Sequence, residues 1–446
     1  MTRGIFILIG LIAWGSGWTV PTGFKLVPES SLAEAQQADE HYREGLERLV
    51  DGDLAAAEQA FRESIKNYHG AANAMLGLAE IAFQRNQIKE AGVWINKAVE
   101  IAPDNPHAQT SLGRYLRQTG HYKGSQDAFR KAIEFGPSMT EPRIALGDLY
   151  LTVFNKPKEA VKTYQSALAI DPNRAAAYYA LGVAHFKLGD NANAVTKLKK
   201  ASTLEPGNPL PELELARIYL KLGKPADALK AIDEALRIQP NLIEAGLLRG
   251  DILLAQGNIA PAEEAYTQLA ERNPKIASPR LHLAMLYQQL GRREEAIASY
   301  RSAIAIDPKM APAYNNLAGM LSEQKENWAE AEQLARMAVE LTPQAAPFLD
   351  TLGWIYRGEG KLAESYQILS KAAQMAPDNP SIGAHWGIIL ADCGDHGKAI
   401  IQLEKALKKT DHFQDSAEAS ALLNTLTREG TSASKQTTRA CSSGSN

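Results

Sequence analysis

Nine prolines set the frame for this 446-residue chain: Pro103, Pro137, Pro172, Pro206, Pro240, Pro274, Pro308, Pro343 and Pro377 follow one another at intervals of 34 or 35 residues. A period of that length marks stacked supersecondary units, not the roughly three separate domains that ~150 residues per domain would give. Two further files keep the same time. One is small, running from Ala57 through Ala91, Ser125, Ala160 and Ala194 to Ala399; the other is Gly or Ala, from Gly45 through Ala79, Gly113, Gly147 and Gly250 to Gly387. Within one period, Tyr178, Leu181, Val183 and Phe186 precede Gly189-Asp190, and Ala194, Leu198 and Ala201 follow it before Pro206. These spacings of three and four put each set on one face of a helix. A glycine after the first helix suits a left-handed C-cap, the proline stops the second helix, and the small files let two helix backbones approach. Gly52, Gly120, Gly189, Gly223, Gly257, Gly291, Gly360 and Gly394 mark the internal turns, with Asn86 and Asn155 in the same place elsewhere.

This pattern resembles the tetratricopeptide repeat, a 34-residue helix-turn-helix unit. Matching residues include Leu112-Gly113, Ser125, Phe129, Ala132 and Pro137 in one unit, and Leu352-Gly353, Tyr356, Ser365, Leu369, Ala372 and Pro377 in another. The resemblance implies an all-α, right-handed superhelical solenoid of about eleven such repeats over residues 38–413. A capping helix is expected over 414–428, where Ala417, Ala421, Leu422 and Leu426 share a face. Residues 21–37 are expected to hold a linker and the start of the first helix, which Ser31 and Glu34 look like opening as a capping box. Residues 429–446 have almost no large apolar side chain and are expected to be a disordered tail.

The run Gly4 to Val20 is apolar and uncharged behind Arg3, and two readings of residues 1–20 stay open. They form a cleaved signal peptide, with Ile5 to Ala13 as its apolar core, or a membrane anchor at the lower limit of spanning length. Either exports the repeats, which places them in the periplasm, free or anchored to the inner membrane. The two cysteines, Cys393 and Cys441, match neither a disulfide framework nor a zinc pattern, so the fold is expected to stand without covalent staples, Cys441 being incidental.

No His-Glu-x-x-His, Gly-x-Ser-x-Gly or phosphate-loop motif occurs, and the nine histidines are scattered singly. The expectation is a protein that is not an enzyme and holds no metal or cofactor. A net charge of −3 gives no field for nucleic acid. What remains is surface. In the family the first helix of each pair lines a groove that takes protein or peptide segments, and residues following the Gly/Ala file point into it. Here that file alternates in sign through Glu80, Arg114 and Asp148, and again through Arg217 and Asp251, which reads as a self-satisfied ladder of charge. The competing reading adds Arg117, Tyr179, Phe186, Lys187 and Lys221 to Arg114 and Arg217, a basic, aromatic-lined stretch for an acidic partner segment. Toward the carboxyl end Met285, Trp354 and Ile388 suggest an apolar groove, with Trp354 in the core as the alternative.

Residues 314–372 are also similar to the repeat segments of bacterial exopolysaccharide assembly and export proteins, through the run Asp350-Thr351-Leu352-Gly353-Trp354. The resemblance implies a non-catalytic interaction scaffold of the cell envelope. A cytoplasm-facing adaptor or co-chaperone is the alternative, and an enzyme or lipid carrier using the groove as a pocket is a third.

Overall fold

A computed structural model describes residues 29–429 apart from 69, 324–326, 410–412 and 414, together with Cys441. The expected signal or anchor over 1–20, the linker up to residue 28 and the tail beyond Glu429, Cys441 excepted, lie outside the described residues. The described residues form 23 α-helices and no strand, in two compact units divided after Ile238.

The amino-terminal unit stacks six helix pairs: α1 Glu29–Val50 with α2 Leu54–Asn67, α3 Ala72–Gln84 with α4 Ile88–Ile101, α5 Pro106–Gln118 with α6 Tyr122–Phe135, α7 Glu141–Thr152 with α8 Pro157–Leu168, α9 Ala175–Lys187 with α10 Asn191–Leu204, and α11 Leu210–Lys221 with α12 Pro225–Ile238. The carboxyl-terminal unit stacks five more: α13 Ile243–Ala255 with α14 Ile259–Arg272, α15 Ser278–Gln289 with α16 Arg293–Ile306, α17 Ala311–Ser322 with α18 Trp328–Leu341, α19 Ala346–Gly358 with α20 Leu362–Met375, and α21 Pro380–Asp392 with α22 His396–Lys409. It closes with α23 Ser416–Glu429, which packs on α21 and α22 as the expected capping helix. Helix α1 begins at Glu29, two residues before the expected capping box.

The repeat files explain how each pair closes. Second helices contribute one large side chain each to the core at the same period: Phe61, Ile95, Phe129, Tyr164, Leu198 and Ile232 in the first unit are fully buried. Each such burial stabilises by about 2–3 kcal/mol. The Gly file of the first helices makes room for them; a methyl group added at Gly147 or Gly250 would overlap the ring of Tyr164 or Tyr266. Where the small file carries serine, the hydroxyl ties the two helices of a pair: Ser125 Oγ donates to the Gly113 carbonyl and Ser365 Oγ to that of Gly353, both at 2.7 Å. At the turns Asn86 and Asn155 adopt positive φ (60° and 51°), in the place other pairs give to glycine.

One expectation is overturned. Cys393, capping α21, is disulfide-bonded to Cys441, with Cα atoms 5.7 Å apart. A separation of 48 residues carries no spacing signature, so only the packing of Leu369 and Ile389 around both sulfurs reveals the partnership.

Candidate functional site: the first-helix face

Seven of the eight residues expected in the groove lie on α5, α9 and α11 of the amino-terminal unit, and the eighth, Trp354, lies on α19 of the other. The ladder of charge forms in part. Arg114 pairs with Glu80 of α3 at 3.5 Å and spreads over the Phe83 ring at 5.9 Å. Asp148 departs from the expected pairing with Arg114: its Oδ1 accepts the Tyr164 hydroxyl at 2.7 Å. Burial raises the Asp148 carboxyl above its ordinary range, opposed by that hydroxyl and by the Arg117 charge. Asp251 repeats the arrangement in the second unit, accepting from Tyr266 at 2.6 Å. The signal for both lay in the sequence as Gly-Asp followed 15 or 16 residues later by Tyr, because the missing glycine side chain admits the ring and delivers its hydroxyl to the next residue.

Further along, Arg217 pairs with Glu214 on its own helix at 3.1 Å. Burial raises the Glu214 carboxyl, with Arg217 opposing. Tyr179 faces both, and its phenol is pushed up to about 12 by burial and by Glu214. Lys187 donates to the Leu151 carbonyl at 2.9 Å, and Lys221 lies 4.9 Å from the centre of the Phe186 ring. Among the described residues no carboxylate lies within ion-pair distance of Arg117, Lys187 or Lys221. The basic, aromatic stretch is therefore narrower than its sequence suggests, with Arg114 and Arg217 engaged by neighbours.

The expected apolar groove around Trp354 is closed. Trp354 stacks on His385 with ring centres 3.9 Å apart, Arg357 covers it at 4.7 Å, and Ile388 is fully buried; only Met285 stays open. His385 itself is held at both ends: the Asp350 carboxylate meets Nδ1 at 2.9 Å, and Asp415, at the start of the capping helix, meets Nε2 at 2.9 Å. Burial by itself lowers the imidazole pKa, but the charges and hydrogen bonds of Asp350 and Asp415 overcome it and raise the value to about 9. Arg357 adds ion pairs to Asp392 at 2.6 Å and to Glu418 of α23 at 3.1 Å. The node fastens the capping helix across the face where an apolar partner was expected.

Models described as tetratricopeptide repeat match residues 42–106, 185–252, 247–311, 281–346 and 346–379, and a TPR repeat model matches 155–189. Cellulose synthase operon protein C of Xanthomonas axonopodis pv. citri is 26% identical over 389 residues, which is 81% of this chain and 24% of that protein. The type IV pilus assembly protein PilF of Pseudomonas aeruginosa is 28% identical over 139 residues, 31% of this chain and 55% of that one. This chain spans well under two thirds of the length of each. The crystal structure of yeast Tom70 aligns at 13% identity and a TM-score of 0.46 over 90% of this chain and 96% of that chain, a likeness of fold alone. Among the described residues no helix is long and apolar enough to cross a membrane.

Proposed function

The chain belongs to the tetratricopeptide-repeat family, and we propose that it is a non-catalytic scaffold of the bacterial cell envelope that holds acidic segments of partner proteins on the first-helix face of its amino-terminal unit. The observation that carries this reading is the set Arg117, Lys187 and Lys221: three cations with no carboxylate at ion-pair distance among the described residues, Arg117 acting on the buried Asp148 only from further off, beside Tyr179 and Phe186 on the same run of first helices. An extended segment laid across them supplies the missing negative charge while the rings take its apolar atoms. Export is supported by the Cys393–Cys441 bond, because disulfides persist in oxidising compartments and are rare in a reducing cytosol. The similarity to proteins named for a cellulose synthase operon and for pilus assembly points toward the same compartment, with exopolysaccharide assembly as the proposed setting.

The test uses a fluorescent octapeptide of alternating Asp and Glu. Its affinity should fall steeply with salt and drop at least tenfold when Arg117, Lys187 and Lys221 are together replaced by Glu, with the helical circular-dichroism signal unchanged. Equal affinity for the triple variant refutes the groove assignment. Protease accessibility in fractionated cells, combined with thiol labelling, tests the location: protected repeats with reduced cysteines refute export.

A further inference from the structure

At one position, four residues before the Gly/Ala file, nine of the eleven first helices carry a side chain larger than a methyl group, from Met75 and Arg143 to Tyr314 and Leu349, whereas the seventh carries Gly246 and the eleventh Gly383. In the pair just before, Leu349 is buried among Ala346, Ala372 and Ile382. At Gly246, the other glycine at this position, Leu269 crowds into the vacated space. At Gly383 nothing does so: an added methyl group would meet only the Ala406 methyl, at an ordinary 3.5 Å. A cleft of about 240 Å³ results, lined from α20, α21 and α22, with the half-buried Trp386 ring at its wall and Gln374, Gln402 and Lys405 at its rim. Trp386 is held in place edge-on against Tyr366, with ring centres 4.9 Å apart. Ile401, one turn before Lys405 on α22, is 62% exposed.

We propose that this cleft is a socket for a single aromatic or large aliphatic side chain of a partner segment that carries carboxylates on either side of that anchor. The site is distinct from the first-helix face and stands whatever binds there. Its volume falls below that of a small-molecule pocket and suits one side chain, the usual anchor of a protein–peptide contact. The flanking charge follows from the rim. Lys405 reaches the Pro377 carbonyl at 2.8 Å and has no carboxylate within ion-pair distance among the described residues; the nearby Asp378, which feels its charge, is bound by Lys409 at 2.7 Å, and Lys408 adds a further cation to the end of the same helix. The chain's own residues after Glu429 have no large apolar side chain to offer, and the run Gly4 to Val20 has the apolar side chains but no carboxylate.

The probe is acetyl-Asp-Phe-Asp-amide, titrated against the full chain while the Trp386 indole N–H resonance is followed. Saturation with a Kd on the order of 1 mM is expected. Gly383→Leu, which restores the side chain of the preceding pair, should weaken binding at least tenfold while leaving the unfolding midpoint equal or higher, since leucine is the better helix former. Lys405→Glu should weaken it severalfold without filling the cleft. Absence of saturation, equal binding of the Asp-Ala-Asp peptide, or undiminished binding by a folded Gly383→Leu variant overturns the socket. Equal binding of the Lys-Phe-Lys peptide overturns the acidic flanks. A concentration-dependent dimer that Gly383→Leu abolishes would assign the cleft to a second copy of the chain and overturn the partner proposed.

Discussion

Neutralising His385 should loosen the carboxyl-terminal unit specifically. Both ring nitrogens meet carboxylates, so both must donate at once, and only the imidazolium can do that. Its pKa rises from an unfolded value of 6.5 to about 9 in the folded chain. A shift of roughly 2.5 units corresponds to about 3–4 kcal/mol at ~1.4 kcal/mol per unit. Because the folded value is the higher, this stability is fully present below pH 6.5 and is lost as the pH climbs through about 9. The assay is urea unfolding at pH 6 and pH 10, followed by tryptophan emission, to which Trp328, Trp354 and Trp386 of the second unit contribute three indoles. At pH 6 the native chain should outlast His385→Gln by roughly 1–3 M urea, given slopes of about 1–3 kcal/mol per M. At pH 10 the two should nearly coincide. A gap of the same size at both pH values would refute the ionic account of the node and leave only ring packing.

Cys441→Ser opens a covalent loop between positions 48 residues apart, which the chain-entropy relation values at about 4 kcal/mol. The variant should melt earlier than the native chain without reductant, and adding reductant should lower the native melting point while leaving the variant's unchanged. Gly250→Ala drives a methyl group into the Tyr266 ring and should cost about 1–3 kcal/mol in equilibrium unfolding. Gly319→Ala, in α17 with open space around it, should instead be neutral or stabilise by up to about 1 kcal/mol.

The period made the fold legible because it samples one contact many times over. Gly147, Gly250 and Gly353 each face a large second-helix side chain, and the eye needs only their spacing to pair the helices. The turns were legible for the same reason, down to Asn155 standing in for glycine with positive φ. Contacts made once were not. His385 meets Asp350 from 35 residues away and Asp415 from 30, and nothing repeats to announce either pairing. The groove falls between these cases. Its residues were placed on the right helices, yet which charges were already engaged depended on hydroxyls from the second helices: Tyr164 took Asp148, which charge alternation had assigned to Arg114. Alternation of sign along a file weighs only the file, whereas a carboxylate takes whichever donor reaches it first.

Within each unit, the packed helices are neighbours or next-but-one neighbours in the chain. Each pair therefore has most of its partners as soon as the pair behind it exists, a topology of short sequence separations that folds fast and from any starting point. A polypeptide threaded amino end first into another compartment could build this array progressively, as each pair emerges, without holding long stretches open for distant partners. Two closures reach beyond neighbouring pairs: the bond from Cys393 to Cys441 and the contact of His385 with Asp415, each of which waits for a partner that follows the eleventh pair. Both fasten the eleventh pair, which has no twelfth pair stacked on it among the described residues and would otherwise fray.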